Sequence, residues 1–267
     1  MKDGTGTTST TSIHSAPGRH YGFGVDVGGS GIKGAVVDLA SGEFVGDRIK
    51  IATPKPATPD AVADTIAEIV QRAEWDGPVG VTLPSVIKDQ VALTAANIDP
   101  SWVGTSVHKV LASRLGDREL AVLNDADAAG LAEVAYGEAA AREGCVIFLT
   151  FGTGIGSAFL ANGVLFPNTE LGHLIVNGTE AEHLASSAVR DREELSYKAW
   201  AKRVSTVLNE FERLFNPSAF VVGGGISRKA HKWVPLLSVS TEVIPAQLRN
   251  RAGIVGAAMA AAEHVTP

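Results

Sequence analysis

The chain has 267 residues, of which 45% are hydrophobic, and a formal net charge of −6 at neutral pH. This length can bury a large core and is above the size at which a chain often divides into two lobes. The acidic balance argues against an extended basic surface for nucleic acid or anionic membranes. The single cysteine, Cys145, lies in an apolar run, and one thiol excludes both a disulfide framework and a cysteine-rich metal site.

Residues 1–20 are rich in Thr, Ser and Gly and lack an apolar core, so they resemble neither a signal peptide nor a membrane anchor. We expect them to form a disordered tail. No run approaches the roughly 18 apolar residues of a membrane-spanning helix. The sequence therefore predicts a soluble, cytoplasmic protein.

The first half is predicted to open with three strands and then alternate helices and strands. These elements are strands at 21–27, 32–39 and 44–51, a helix at 59–73, a strand at 79–83, a helix at 106–115 and a strand at 120–123. The last strand delivers Asn124 and Asp125 at its C-terminal end, where ligand sites of α/β sheets lie.

The turn between the first two strands contains a GxGxxG sequence, residues 29–34, which is the spelling of a dinucleotide-binding loop. In dinucleotide-binding folds the glycines open a helix, whereas here a short β-branched run follows and is soon broken by Ser41 and Gly42. The sequence therefore predicts a hairpin. Glycines in such a hairpin let several backbone N–H groups converge on phosphate oxygens.

The second half repeats the order of strand, glycine hairpin and returning strand. Its predicted elements are a strand at 146–151, a glycine turn at 152–156, a strand from 157, a long helix at 195–215, a strand ending at the glycines 223–225, and helices from about 227 and at 252–263. The duplication predicts a small lobe at 21–123, a large lobe at 124–250 and a ligand site in the cleft between them.

Five motifs occur in the order seen in the ROK family of sugar kinases, which stands within the hexokinase–actin fold group. They lie at 26–34, 124–128, 150–158, 170–173 and 222–226. The resemblance covers nearly the whole chain from Tyr21. It implies a two-lobed, ribonuclease H-like α/β fold with a duplicated β-hairpin/helix core, a C-terminal helix at 251–267 that packs back on the small lobe, and a homodimer.

The resemblance also implies roles for two carboxylates. Transfer of a phosphoryl group to a sugar hydroxyl needs a carboxylate that accepts the hydroxyl proton, and Asp125 is the candidate. An N-cap for the following helix is the alternative use of this residue. Asp26 resembles the family carboxylate that holds Mg²⁺ through water, and a turn-capping Asp is its alternative.

Sugar hydroxyls both donate and accept hydrogen bonds, so their site needs fixed polar side chains. By resemblance, the sugar-binding residues are Asn97, Asn124, Asp125, Glu170, His173 and Glu182, with Glu180 close enough to Glu182 to be confused with it. The expected phosphate- and nucleotide-binding residues are Gly28, Gly29, Ser30, Gly31, Lys33, Gly152, Thr153, Gly154, Gly223, Gly224 and Gly225. A plain strand-to-helix turn remains the alternative for the last three glycines.

Many ROK members bind structural zinc through a cysteine cluster that follows this Gly-His pair, but residues 174–183 contain no cysteine. One thiol cannot build such a site, so we expect Mg²⁺ and no zinc. Residues 182–204 resemble instead the zinc-free branch of polyphosphate glucokinases in the family. That branch accepts inorganic polyphosphate as well as ATP, and some of its members also phosphorylate mannose.

The sequence thus predicts a kinase that phosphorylates the 6-hydroxyl of glucose, with mannose as a further substrate left open. The alternatives are a strictly ATP-dependent glucokinase, a ROK-type sugar-binding regulator without catalysis, and an actin-like ATPase. Polyphosphate would need a local row of cations in this acidic chain. The candidate cations are Lys33, Arg190, Arg192, Lys198, Lys202, Arg203, Arg228, Lys229 and Lys232.

Overall fold

The computed structural model describes residues 20–264, so the predicted tail at 1–20 lies, apart from His20, outside the described residues. The strands are β1 (Tyr21–Gly28), β2 (Gly31–Asp38), β3 (Glu43–Ile51), β4 (Val79–Leu83), β5 (Ile87–Lys88), β6 (Val91–Ala92), β7 (Leu120–Asn124), β8 (Cys145–Phe151), β9 (Ile155–Ala161), β10 (Val164–Phe166), β11 (Ile175–Val176), β12 (Thr179–Glu180), β13 (Ala219–Gly223) and β14 (Glu242–Pro245). The α-helices are α1 (Pro59–Arg72), α2 (Val107–Leu115), α3 (Asp125–Tyr136), α4 (Ala181–Ala185), α5 (Ser187–Arg192), α6 (Tyr197–Phe215) and α7 (Ala252–Ala262).

Two five-stranded sheets have the same topology. Their strand orders are β3-β2-β1-β4-β7 and β10-β9-β8-β13-β14. In each, three antiparallel strands are followed by two that run parallel to the innermost of the three. The predicted duplication is confirmed, and the carboxyl ends of the parallel strands meet at one edge of each sheet.

The continuous apolar runs of the sequence form parallel strands that are covered on both faces. Every residue of β4, β7 and β13 is buried. The core of the second sheet includes Trp200, Phe151 and Trp233, whose rings meet edge to face at centroid distances of 4.9 to 5.8 Å. Buried aromatic side chains of this kind contribute strongly to stability.

The alanine-rich helix α7 packs tightly against both halves of the chain. A Cβ on Gly24 of β1 or on Gly80 of β4 would overlap the carbonyl oxygens of Ile254 and Ala257, respectively. On another side of the helix, a Cβ on Gly256 would overlap the carbonyl oxygen of Ala128 in α3. Glycine at these positions lets backbones approach more closely than side chains allow.

Two element predictions differ from the structure. The helix predicted from about 227 is a 3₁₀ segment, Gly225–Lys232, with a kink at Lys229, where φ is −111°. The hydroxyl of Ser227 donates to the carbonyl of Gly224 at 2.8 Å, which tightens the turn. The long helix begins at Tyr197, not at Leu195, because Ser196 caps it through a bond from the N–H of Ala199.

Within residues 20–264, no helix has the length and apolar character needed to cross a lipid bilayer.

Candidate active site

Two neighbouring cavities open where the strands of the two sheets end. The larger, of about 600 Å³, is lined by all six predicted sugar-binding residues, Asn97, Asn124, Asp125, Glu170, His173 and Glu182, and by the second glycine hairpin. The smaller, of about 180 Å³, is lined by Asp26, Lys33, Asp125, Gly223 and Gly224 among others. Asp125 and Thr150 line both cavities.

Asp125 is the first residue of α3, directly after β7. Asn124 is the N-cap of this helix, and its side-chain oxygen accepts the N–H groups of Ala126 and Asp127. The interpretation of Asp125 as the N-cap is therefore wrong, because the preceding residue satisfies the free N–H groups of the first turn. The amide nitrogen of Asn124 donates to the carbonyl of Ser85 at 3.2 Å, so this side chain shapes the large cavity as well as the helix.

Asp125 is an exposed residue that lines both cavities. Burial raises its pKa to about 6, and the negative charges of Asp26 and Glu170 add to this rise, while the backbone N–H of Ala126 opposes it. A carboxylate with this pKa is ionised at neutral pH yet accepts a proton more readily than an ordinary Asp.

The first glycine hairpin carries Asp26 and Lys33 to the small cavity. The two residues face each other across β1 and β2, and the Lys33 Nζ lies 3.3 Å from the Asp26 Oδ2. The hydroxyl of Thr82 on β4 donates to the other oxygen of Asp26 at 3.2 Å. Of the remaining hairpin residues predicted to bind phosphate, Gly28, Gly29, Ser30 and Gly31, none lines either cavity.

Glu182 connects the second glycine hairpin to helix α4. This side chain, in the first turn of α4, accepts the N–H of Ile155 at 3.2 Å. Gly154 makes that contact possible, because a Cβ there would overlap the Glu182 carboxylate. Glu182 lines the large cavity and Glu180 does not.

Glu180 lies against His173 instead, with its Oε2 at 3.2 Å from the His173 Nδ1. This contact raises the pKa of His173, and burial opposes the rise. Burial raises the pKa of Glu170. The negative charge of Glu182 adds to this rise, and the charge of His173 opposes it. In residues 20–264, His173, Glu180 and Glu182 form the one group of three side chains whose ligating atoms lie within 4.8 Å of one another, and we assign no metal to it.

The glycines at the end of β13 adopt a backbone conformation and a close approach that other residues would not tolerate. Gly224 has φ +82°, and a Cβ there would lie 2.6 Å from the carbonyl oxygen of Phe151. Gly223 and Gly224 line the cavity, whereas Gly225 does not.

Sequence reasoning missed a segment that lines the small cavity, residues 246–251, between β14 and α7. Its Ala246, Arg249 and Asn250 line the cavity. The buried Glu133 of α3 holds this loop, because its carboxylate accepts the N–H groups of Gln247 at 2.8 Å and Leu248 at 2.7 Å. No motif in the sequence indicates this contact, since the partners are more than 100 residues apart.

A third cavity of about 380 Å³ adjoins this loop and is lined by Arg228, Arg249 and Arg251 with three of their neighbours. Arg251 is paired with Glu43. Within the described part of the chain, Arg228 and Arg249 form no ion pair. Other predicted cations are already engaged: Arg190 with Asp191, and Arg192 and Arg203 with Glu193.

A sequence profile described as the ROK family matches residues 22–187. The chain belongs to the ROK family. Among ROK relatives, it is 54% identical to the polyphosphate glucokinase of Mycobacterium tuberculosis over 257 residues, which cover 96% of this chain and 97% of the relative. It is 27% identical to the glucokinase of Streptomyces coelicolor, with 90% of this chain and 97% of the relative covered.

Solved structures of ROK proteins show the same architecture. The inorganic polyphosphate/ATP-glucomannokinase from Arthrobacter sp. strain KM superposes with a TM-score of 0.84 at 46% identity, over 92% of this chain and 99% of that one. The ROK glucokinase from Streptomyces griseus, in complex with glucose and AMPPNP, gives a TM-score of 0.76 at 26% identity, over 91% and 100% of the two chains. The predicted actin-like fold of a ROK sugar kinase is confirmed.

Proposed function

We propose that this ROK protein is a hexose kinase that transfers a phosphoryl group from inorganic polyphosphate or ATP to the 6-hydroxyl of glucose. The observation that carries the proposal is the position of Asp125 on the shared wall of two cavities. One cavity offers the polar side chains that a sugar requires, and the other offers the cation and glycines that suit a phosphate donor. The similarity to polyphosphate glucokinases over nearly the whole chain supports the choice of substrates.

In this proposal Asp125 accepts the proton of the sugar 6-hydroxyl as the oxygen attacks the terminal phosphorus of the donor. The new O–P bond forms as the bridging bond in the donor breaks, and the shortened polyphosphate or ADP leaves. The raised pKa of Asp125, about 6, suits a group that must be ionised before the reaction and protonated after it. Glu170, His173 and Asn97 orient the hexose through its other hydroxyl groups.

We assign Mg²⁺ to Asp26. Its half-buried carboxylate lies at the small cavity with Lys33 and the Thr82 hydroxyl beside it, and carboxylate oxygens are the ligands that Mg²⁺ prefers. When bound, the ion neutralises charge on the donor phosphates. The Lys33 ammonium group would also neutralise charge on the donor phosphates.

We expect no zinc. Elemental analysis of the purified protein tests this expectation, and one zinc per chain would contradict it.

The range of sugars and the assembly state are two further parts of the proposal. Mannose as a second substrate is supported by the similarity to the Arthrobacter glucomannokinase. A homodimer is supported by edge strand β10, whose Val164 and Phe166 are 70% and 66% exposed and would be covered by a second copy. Light scattering of the purified protein measures this state.

The experiment that tests the function is a matrix of donors against sugars. We expect glucose 6-phosphate from nucleotide-free polyphosphate and also from ATP, with each donor inhibiting use of the other competitively. Product from ATP alone would indicate an ATP-dependent glucokinase. Glucose binding without transfer would indicate a regulator, and ATP hydrolysis unaffected by hexose would indicate an actin-like ATPase.

The donor path is testable separately. We place the polyphosphate units beyond the transferred group in the arginine-lined cavity next to the donor cavity, because both share Arg249 and Asn250. The Arg228→Gln, Arg249→Gln double variant should raise the KM for long-chain polyphosphate more than the KM for ATP. A Lys229→Gln, Lys232→Gln double variant tests the lysines that the sequence indicated. Arg213→Gln, at an exposed arginine paired with Glu210 elsewhere, is the control.

A further inference from the structure

Asp127 is a buried acid outside the cavities. It is the third residue of α3, its exposed fraction is 0%, and it lines neither of the two cavities that meet at Asp125. Its Oδ1 has no hydrogen-bond partner among residues 20–264. Burial of a carboxyl group with incomplete hydrogen bonding destabilises the folded state, so its presence requires a physical explanation.

The other oxygen of Asp127 holds a loop of the second sheet. Its Oδ2 accepts the backbone N–H of Asn168 at 2.8 Å. Asn168, with φ +59°, forms two hydrogen bonds with Ile87 of β5. Its side-chain oxygen accepts the N–H of Ile87 at 2.9 Å, and its amide nitrogen donates to the Ile87 carbonyl at 2.6 Å. One buried acid thus fixes a residue that joins the second sheet to the β5–β6 hairpin.

This loop carries Glu170 to the large cavity. Beyond Asn168, the hydroxyl of Ser157 donates to the carbonyl of Thr169 and accepts the N–H of Leu171, the latter at 2.9 Å. The backbone around Glu170 is therefore held by two side chains: Ser157 bonds the residues on both sides of it, and Asp127 bonds Asn168, two residues before it. A long flexible carboxylate reaches a fixed position at lower entropic cost when its backbone is fixed.

We propose that Asp127 is a positioning residue for hexose binding, which acts through Asn168 to hold Glu170 at the large cavity and the β5–β6 hairpin beside it. The proposal rests on the hexose kinase function above. Asp127 touches neither substrate, so its effect is on the geometry of the groups that do. A hydrogen-bond acceptor is required at this position because only an acceptor can hold the N–H of Asn168.

The test uses the full-length chain and four variants: Asp127→Ala, Asn168→Ala, Asp127→Asn and the control Asn162→Ala. Asn162 matches Asn168 chemically, since it also has a positive φ and its side-chain oxygen accepts a backbone N–H, that of Gly144 at 2.8 Å. Its hydrogen bonds within residues 20–264 are with Gly144, outside the Glu170 loop. For each protein we would measure the glucose Kd without donor, the KM for glucose, the KM for ATP and the melting temperature.

We expect Asp127→Ala and Asn168→Ala to raise the Kd and KM for glucose about ten-fold, as for a lost hydrogen bond in a binding site, with little change in the KM for ATP. Asp127→Asn should recover most of the glucose affinity, because its amide oxygen still accepts the N–H of Asn168. Asn162→Ala should lower the melting temperature without changing the glucose KM.

Folded Asp127→Ala protein with the glucose affinity of the wild type would overturn the proposal, and so would an equal rise in the KM of both substrates. Folded Asn168→Ala protein with that affinity would overturn the part that concerns the β5–β6 hairpin, because this variant keeps the backbone N–H that Asp127 holds and loses only the bonds to Ile87. If Asp127→Ala does not fold, Asp127→Leu, which retains much of the side-chain volume and lacks the acceptor, decides the matter in its place. A wild-type chain that binds no hexose would overturn the proposed function and this inference with it. A wild-type chain that phosphorylates glucose while the variants keep its affinity would overturn the inference alone.

Discussion

Three carboxyl groups lie close together at the cleft, and their surroundings separate their behaviour. Burial is the largest cause that raises the pKa of Asp125, Asp127 and Glu170, and mutual repulsion contributes to the rise at Asp125 and Asp127. Asp125, with a pKa of about 6, opens onto both cavities, whereas Asp127, with a pKa of about 7, is sealed in the protein. These different surroundings support the proposal that Asp125 acts in catalysis and Asp127 in positioning.

Asp125→Asn should lower kcat about 10²–10⁴-fold, because the amide cannot accept the hydroxyl proton. Glucose affinity and melting temperature should stay close to those of the wild type, since Asn124 caps α3 and the new amide oxygen can still accept the N–H of Ala126. Steady-state kinetics, glucose titration and thermal unfolding measure the three quantities. A variant that unfolds while its folded remainder stays active would contradict the catalytic role.

Asp127→Asn should change how stability depends on pH. The pKa of Asp127 rises from 3.8 to about 7 on folding, because burial disfavours the ionised form, while the N–H of Asn168 partly opposes this and the charges of Glu170 and Asp125 add to it. A raised pKa means that stability is present while the group is protonated and is lost as pH rises through the window between these values.

The melting temperature of Asp127→Asn relative to the wild type should therefore be higher at pH 8 than at pH 5. Asp125 titrates in both proteins and cancels in the comparison. An identical pH profile for the two proteins would show that the Asp127 carboxyl group is not destabilised by ionisation.

At the scale of elements, helix α7 packs against both halves of the chain. Its backbone lies against β1 and β4 of the first sheet and against α3, and glycines on the facing backbones make this approach possible. The same helix presents Gly253 to Asp26, where a Cβ would lie 3.2 Å from the carboxylate oxygen. The position of the small cavity is thus coupled to the packing of a helix at the end of the chain.

Gly80→Ala should destabilise the fold by about 3 kcal/mol or more, because its Cβ has no room beside the Ala257 carbonyl and neither backbone can move freely. Gly46→Ala is the matched control: its Cβ meets no atom within 4 Å, and only the strain of φ +77°, about 1 kcal/mol, opposes it. Urea unfolding of both variants gives the comparison. Equal losses would show that α7 yields to the added methyl group.

At the scale of the whole molecule, the cavities lie between elements of both sheets. Asn97 and Ser85 from the first half face Glu170 and His173 from the second across the large cavity. The bond between the Asn168 side chain and the N–H of Ile87 joins the two sides. This arrangement suits two lobes that draw together on a sugar and exclude water from the reaction.

Glucose should therefore reduce the radius of gyration in small-angle scattering, while a sugar that is not phosphorylated should not. The physical reason is that hexose hydroxyl groups bridge side chains from the two sheets. Scattering curves that stay identical at saturating glucose, in a preparation that phosphorylates it, would contradict closure.

Much of the fold follows from the sequence because its signals are local. Glycines between β-branched runs predict the two hairpins, and helical spacing in 59–73 predicts α1 nearly to the residue. The order of strand, hairpin and strand in each half indicates the duplicated sheets. Asp26, Asn124 and Asp125 lie at or near the ends of strands, and the family resemblance adds Glu170 and His173 to the predicted site; all five line one of the two cavities.

Contacts between distant residues were decided only by the tertiary structure. Glu133 accepts hydrogen bonds from Gln247 and Leu248, which are 114 and 115 residues away in the chain. Asn168 and Ile87 are 81 residues apart. The sequence could not decide between Asn124 and Asp125 as the helix cap either, because both are good caps and the choice depends on how β7 enters the helix. Local hydrogen bonds and burial patterns depend on residues that are near each other in the chain, so the sequence predicts them. A buried carboxyl group such as that of Asp127 meets its partner only when the sheets pack, so the sequence does not predict that contact.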